Sequence, residues 1–485
     1  MKKIIINTQK KHKISQYLYM QFMEPLGNAD SSVDAGWDYV NDCWQPCLMK
    51  KIKELSPTMI RFGGCFASYY HWKEAVGPRE KRIPMLNQCW DGVYSNQVGT
   101  HEFMQLCREV GAEPLMCVNT ESDGRMHWAY PKDGQNRFGT AEEAAEWVAY
   151  CNDPDNTLRI SHGIKEPYGL KYWQIGNETS YDTRGYNADK SAEVALKFAK
   201  AMRAVDPSIK LLGWGDDCRR FGENWATKLC ETVGDEIDLV AFHYHYDDMV
   251  RPESVLRDNE YRNSPEKTWD ELMNIYKFME TRIGQMREEV APYGKKLAMT
   301  ESHFNIPGRN RCELLSTWAA GVAYARSLNV VEHNADIMEI ATSADFFGNR
   351  WQVNAIIIPT PINNDTQAYL QPVAEVMKLF RKHIGAYTLD VSGMETQDIT
   401  ASMSEDGKKV YLHVVNPSMD TFDELHISVE GKNIKGIKVI EIAKSPMEEI
   451  MQTCPDIFLP TEKQIFGDIY KMPPACVAAI EISLE

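Results

Sequence analysis

The sequence predicts an α/β fold, a (β/α)₈ TIM barrel with an appended antiparallel β-sandwich domain, and three observations lead there. Between about Ile14 and Thr360, short β-like apolar runs alternate with amphipathic helical stretches, the pattern of parallel strands joined by helical crossovers. Eight such runs occur, the number that closes a barrel. Beyond Gln371 the period changes to alternating apolar and polar residues cut by turn-forming Asp-Gly, Gly-Lys and Pro pieces, which reads as an antiparallel sheet region.

The predicted barrel strands are Ser15–Met23, Thr58–Gly63, Glu113–Asn119, Leu170–Gly176, Ile209–Gly213, Ile237–His243, Lys296–Thr300 and Ile337–Ser343. Helix punctuation agrees with their phase. Thr140 followed by Glu143 forms a capping box opening Ala141–Cys151, and Gly111 with Pro114 stops a helix over His101–Val110. A last helix running to Lys382 leads into strands at Val410–Val415, Leu425–Val429, Ile437–Ile442 and Cys476–Leu484. The expected division is therefore a catalytic barrel over 14–370 and a sandwich over 371–485 that also takes in residues 1–13. A chain of 485 residues is long enough for both.

Composition narrows the function classes. A formal charge of −16 disfavours nucleic acid, because affinity for phosphate backbones comes from Lys and Arg. No apolar run is long enough to span a bilayer, so no membrane partner is expected. Met1–Lys13 holds only Ile4, Ile5 and Ile6 as an apolar stretch, too short for a secretory signal, and a cytoplasmic location is expected. The 12 cysteines are scattered without a CxxC pair and read as reduced structural thiols. His243, His245, Asp247 and Asp248 are close in sequence, but spacing alone does not make their side chains converge, and no metal or other cofactor is expected.

In a (β/α)₈ barrel the active site lies at the C-terminal ends of the strands, so polar residues closing apolar strands are the ones to examine. Lys171-Tyr172-Trp173-Gln174-Ile175-Gly176 ends on Asn177 and Glu178, and Leu297-Ala298-Met299-Thr300 ends on Glu301. Two carboxylates delivered from different strands to one barrel mouth suit glycoside hydrolysis, where one protonates the leaving oxygen and the other attacks or activates water. An amide beside the first carboxylate can bind a sugar hydroxyl. After the third strand, Glu121–Arg137 carries His127, Trp128 and Tyr130, aromatics of the kind that stack on sugar rings, and Trp128 is a candidate substrate contact. Trp37, Trp44 and Trp90 fit either the core or a subsite wall.

Together these segments resemble the clan A glycosidases, and within them the family 51 α-L-arabinofuranosidases. The likeness runs through Phe22-Met23-Glu24 with Gly27, Ile60-Arg61-Phe62-Gly63-Gly64, and Tyr70-His71-Trp72 leading to Gly77-Pro78-Arg79. It continues in Gly139–Ala144, Tyr150-Cys151-Asn152, Trp173–Glu178 and Val205–Ser208. The resemblance implies a retaining double displacement and a homo-oligomer, and an exo-acting enzyme on small oligosaccharides is expected because a cytoplasmic enzyme meets imported oligosaccharides rather than polymer. Position by position, it implies that Glu178 is the acid/base and Glu301 the nucleophile, with Glu24, Arg61 and Asn177 holding the sugar and His243 a strand-end histidine of the site.

Three departures stand out. Arg61-Phe62-Gly63-Gly64-Cys65-Phe66 lacks the family's Pro and has Cys65 where its sugar-binding Asn is expected. A thiol hydrogen-bonds more weakly than an amide, so activity on the standard arabinofuranoside is expected to be poor relative to some other glycoside. The family's His-x-Tyr reads His243-Tyr244-His245, leaving either His245 or Tyr246 in place of the tyrosine that touches the nucleophile, and Gln352 is the candidate for a glutamine near the eighth strand. The same clan and mechanism with another sugar, or with endo-action, is the alternative. A non-catalytic carbohydrate-binding barrel is disfavoured by Asn177, Glu178 and Glu301, and a phosphate-handling barrel by the lack of a glycine-rich loop near the last two strands.

Overall fold

The computed structural model describes residues 1–27, 33–87, 89–90, 92–120, 137–181, 187–217, 224–247, 253–256, 260–306, 313–349, 351–360, 362–363 and 365–485. Parallel strands run in chain order around a barrel: Gln21–Met23, Met59–Phe62, Glu113–Val118, Tyr172–Ile175, Lys210–Trp214, Leu239–Asp247, Lys296–Asn305 and Met338–Ile340. The ring closes where Ile340 bridges Tyr17 in parallel, with Ala341 N–H donating to the Tyr17 carbonyl at 3.0 Å and Met20 N–H to the Ala341 carbonyl at 2.9 Å. The first strand is thus shorter than expected and reaches its last neighbour through residues ahead of it. A further strand, Asp345–Gly348, pairs with the first strand through Asp345 and Phe22.

Local chemistry explains the crossovers. Helix Ala141–Asn152 starts at Thr140, whose hydroxyl accepts the Glu143 N–H at 3.1 Å, and Asn187 caps helix Ala188–Val205 through Lys190 N–H at 2.9 Å. Helix Thr100–Val110 ends on Gly111 in the left-handed conformation, φ 74°, which spares a Cβ its steric cost. The sixth and seventh strands extend past the expected ends, to Asp247 and Asn305. Past Phe242 a register shift pairs His243 with Glu301 and His245 with His303.

Two further sheets form the sandwich. One has six strands in the order Tyr387–Thr388, Ile399–Met403, Lys409–Asn416, Cys476–Leu484, Ile434–Ala443, Thr461–Ile465; the other has four, in the order Val391–Ser392, Lys2–Ile6, Asp423–Val429, Ile469–Met472. Between them lies a core that includes Ile4, Ile6, Val410, Leu412, Ile427 and Ile480. The antiparallel expectation needs one correction: Lys2–Ile6 runs parallel to Asp423–Val429, because the strand enters from the far end of the chain rather than through a hairpin.

Helix Trp318–His333 is almost wholly buried, the condition of a helix enclosed on all sides. It ties the two parts together. Its Arg326 donates to Asp398 at 2.7 Å, Trp318 Nε1 donates to the Ala475 carbonyl at 2.6 Å, and Glu332 meets His413 at 2.9 Å. Helix Pro372–Lys382 also sinks its apolar residues into the barrel's core cluster.

Candidate active site

Glu178 reaches the barrel mouth through a strained turn. Gly176 and Glu178 both take left-handed φ, 74° and 49°. A bulky residue there costs about 1 kcal/mol or more and marks a place where function holds the backbone. The turn buries Asn177 and Glu178 beside Arg61, which is fully enclosed.

Arg61 spreads its planar fork over three acceptors: Nη1 donates to Glu301 Oε1 at 2.8 Å, Nη2 to Asn177 Oδ1 at 2.5 Å and Nε to Gln174 Oε1 at 2.9 Å. One side chain thereby fixes the ends of the fourth and seventh strands relative to each other. Burial pushes the Glu301 carboxyl above the ordinary range, and the nearby Glu178 adds to this, while the Arg61 guanidinium opposes it. Glu24 is driven well above the usual carboxylate range, first by burial and then by the charge of Glu301.

The Glu24 carboxylate occupies the space where a side chain on Gly64 would begin. A Cβ on Gly64, whose φ is 151°, would sit 2.0 Å from Glu24 Oε2. Gly64→Ala must therefore move Glu24, and a displacement of this kind at a reacting centre costs about 10²-fold in rate. The expected result is a drop of that order in kcat/KM with a lowered melting temperature; unchanged kinetics would show that Glu24 is not part of the reacting geometry.

His243 joins the two carboxylates. Its Nδ1 lies 2.8 Å from Glu178 Oε1 and 3.6 Å from Glu301 Oε2, and its Nε2 lies 3.1 Å from Thr300 Oγ1. Burial lowers its pKa to about 3, outweighing the attraction of Glu301, so the ring is neutral and the Glu178 contact is a hydrogen bond rather than an ion pair. The backbone is pinned as well: His243 N–H donates to Asp216 Oδ2 at 3.0 Å, and Arg282 grips the other Asp216 oxygen. The Trp214 ring packs edge-on against the imidazole, centroids 4.5 Å apart.

Of the two substitutes for the family tyrosine, the structure brings His245 to the site and not Tyr246. Strand residues alternate faces, so His243 and His245 point inward together while Tyr246 points out. His245 Nε2 is 3.9 Å from Glu301 Oε2, and its ring lies 4.4 Å from that of His303. Tyr246 instead donates to Glu271 at 2.8 Å and packs against Phe278 and Phe304. Gln352 is engaged elsewhere too, its side-chain oxygen accepting from Ser316 Oγ at 2.9 Å and from Gln371. Trp128, with His127, Tyr130 and Asp248, lies outside the described residues. Trp37 and Trp44 pack on each other in the core, whereas Trp90 packs at a tilt against Trp351, whose ring lies edge-on to His303.

Sequence reasoning missed Gln174, Thr300, Asp216 and His303 as parts of the site. Gln174 alone had a readable signal, an amide inside an otherwise apolar strand. Cys65 also belongs here: its Sγ lies 3.6 Å from Glu178 Oε2. A hydrogen bond with Cys89, then burial, pushes its thiol well above the usual range and keeps it protonated.

One atom each from Glu178, His243 and Glu301 lie within 4.8 Å of one another. Such a trio has metal-like spacing, but the Arg61 guanidinium already supplies positive charge 2.8 Å from Glu301, which opposes a cation there. A close carboxyl pair with one neutral imidazole and one buried guanidinium is suited to paired acid and nucleophile chemistry.

Residues 51–264 match the α-L-arabinofuranosidase 1 domain and residues 300–471 the α-L-arabinofuranosidase C-terminal domain. An intracellular exo-α-(1→5)-L-arabinofuranosidase of Acetivibrio thermocellus is 31% identical over 261 residues, covering 51% of this chain and 49% of the relative, and one of Bacillus subtilis gives the same figures. The chain thus spans about half the length of these curated relatives. The crystal structure of an arabinose complex of the Thermotoga maritima α-L-arabinofuranosidase superposes over 100% of both chains with a TM-score of 0.76 and 25% identity. Both of the family's domain signatures, in order along one barrel and its appended sheets, show that the chain belongs to the α-L-arabinofuranosidase family, glycoside hydrolase family 51.

Proposed function

We propose that this chain is a retaining exo-α-L-arabinofuranosidase acting on small oligosaccharides, with Glu178 as acid/base and Glu301 as nucleophile. The observation that carries it is the approach of the Glu178 and Glu301 carboxyl oxygens to within 4.8 Å. Retaining enzymes hold the pair about 5–5.5 Å apart, whereas inverting enzymes need about 6.5–9.5 Å to admit a water between them.

In the first step the Glu301 carboxylate attacks the anomeric carbon while Glu178 gives its proton to the departing oxygen, breaking the glycosidic bond and leaving a glycosyl ester. In the second, Glu178, now a carboxylate, takes a proton from water, which attacks the same carbon and releases Glu301. Arg61 orients Glu301 and keeps it ionised. Asn177 Oδ1 is bound to Arg61, and among the described residues its buried Nδ2 has no hydrogen-bond partner, which suits it to a sugar hydroxyl. Glu24, His243 and His245 complete the sugar's surroundings. Because Glu301 must be ionised and its pKa is raised, activity falls as pH drops through that raised value.

The exo mode and a cytoplasmic site of action are supported by the two bacterial relatives, which are intracellular exo-α-(1→5)-L-arabinofuranosidases; among the described residues no helix is long and apolar enough to cross a membrane. A homo-oligomer is proposed on family likeness. Cys65 favours a second reading, the same mechanism on another sugar, since its thiol faces Glu178 where the family presents an amide. A screen of 4-nitrophenyl furanosides and pyranosides decides between them, with the α-L-arabinofuranoside fastest under the first reading and another glycoside ahead by a wide margin under the second. Proton NMR of the first-formed sugar should show retained configuration in either case. An inverted product would sink the double displacement.

A further inference from the structure

The His243 ring sits between Thr300 and Glu178, closed in by Trp214, with its backbone held by Asp216. Around it stand the carboxylates of Glu178 and Glu301, the guanidinium of Arg61 and the imidazole of His303. A neutral ring carries a single N–H, and which nitrogen bears it is set by the partner of the other nitrogen. On one side Nδ1 faces two carboxyl oxygens, Glu178 Oε1 at 2.8 Å and Glu301 Oε2 at 3.6 Å. A bare lone pair there would oppose both oxygens, whereas an N–H attracts both. On the other side the hydrogen-bond partner of Nε2 among the described residues is the Thr300 hydroxyl at 3.1 Å, a group able to donate as well as accept.

We propose that Thr300 is a positioning residue for the acid/base step: its hydroxyl donates to His243 Nε2, holds the ring as the Nδ1–H tautomer, keeps Glu178 Oε1 an acceptor and so confines the transferable proton to Glu178 Oε2. The inference rests on the reading of Glu178 as acid/base. In glycosylation the Oε2–H bond breaks as that proton moves to the leaving oxygen. The carboxylate left behind keeps its Nδ1–H bond and has the Cys65 thiol 3.6 Å from Oε2. Without the Thr300 donor, His243 can place its proton on Nε2 and accept from a proton on Glu178 Oε1, which stabilises the acid on the wrong oxygen.

The test compares kcat/KM, which reports glycosylation alone, on an unactivated arabino-oligosaccharide and on a 2,4-dinitrophenyl glycoside. Thr300→Val keeps the side-chain shape and removes the hydroxyl. It should lose about tenfold on the oligosaccharide, whose leaving group needs a proton, and about twofold at most on the activated substrate. Its alkaline limb should move to higher pH, because the carboxylate form of Glu178 has lost a donor, and Thr300→Ser should restore both quantities. Equal losses on the two substrates, no loss on either, an unmoved limb or failure of the serine variant to restore activity would overturn the proposal. Should Thr300→Val fail to fold, the wild-type protein decides: with the His243 signal identified by its loss in His243→Gln, ¹⁵N NMR should show a protonated Nδ1 and a bare Nε2, and the opposite tautomer would overturn it. Glu178→Gln is the control. A selective loss on the oligosaccharide there, with a non-selective Thr300→Val, overturns the tautomer role alone, whereas a non-selective Glu178→Gln overturns the acid assignment beneath it.

Discussion

Glu178→Ala should still glycosylate itself when the leaving group is an activated phenol, which needs little protonation, and should then stall because nothing activates water. On unactivated oligosaccharides the loss should be about 10²–10⁴-fold, the usual contribution of a general acid. Azide needs no base, so it should restore turnover and yield a glycosyl azide of the substrate's own anomeric configuration. Glu301→Ala has no nucleophile, and azide can only attack the substrate directly from the opposite face, giving an inverted product. The anomeric proton signal distinguishes the two. An inverted azide from Glu178→Ala, or a retained one from Glu301→Ala, would mean that the two roles are exchanged.

Arg61→Leu should have the next largest effect. It removes the positive charge that faces Glu301 at 2.8 Å and leaves Glu24, Glu178 and Glu301 clustered together. Breaking a buried pair in this way destabilises a protein by about 3–5 kcal/mol, and losing the donor that orients the nucleophile should lower kcat by about 10³-fold. Arg61 holds the Glu301 pKa down, so without it that pKa rises further. The acid limb of the pH–rate profile, which reports ionised nucleophile, must then move to higher pH. Arg61→Lys keeps the charge but not the three-way fork, so its limb should move less although its activity is still low. A limb that stays in place or moves to lower pH in Arg61→Leu would remove Arg61 from any role in ionising Glu301.

Much of the barrel was legible because crossover helices and buried parallel strands impose separate periods on the chain, and Met59–Phe62 and Tyr172–Ile175 fall inside the runs expected for them. The strand ends were less so. Thr300-Glu301-Ser302-His303 interrupts the apolar pattern just where the seventh strand continues, since the residues needed in the site are polar and read as a loop. The ring closes through Tyr17, ahead of the short first strand, by a single bridge to Ile340, which no local pattern signals.

The order of elements and the two strand-end glutamates were readable from the sequence alone, because hydrophobic period and residue chemistry are local properties. The family likeness, which implied a role for Arg61, was readable as well. The partners of those residues were decided only by the tertiary structure. Whether His245 or Tyr246 faces Glu301 depends on the side of the strand each occupies after the register shift at His243, and that shift depends on pairing with a strand far along the chain. Asp216, Thr300 and Cys65 lie on three different segments, and they meet around His243 and Glu178 because barrel closure brings together residues widely separated in sequence. The raised pKa of Glu301 and the neutrality of His243 arise in the same way, since burial and neighbouring charge exist only once the barrel is closed.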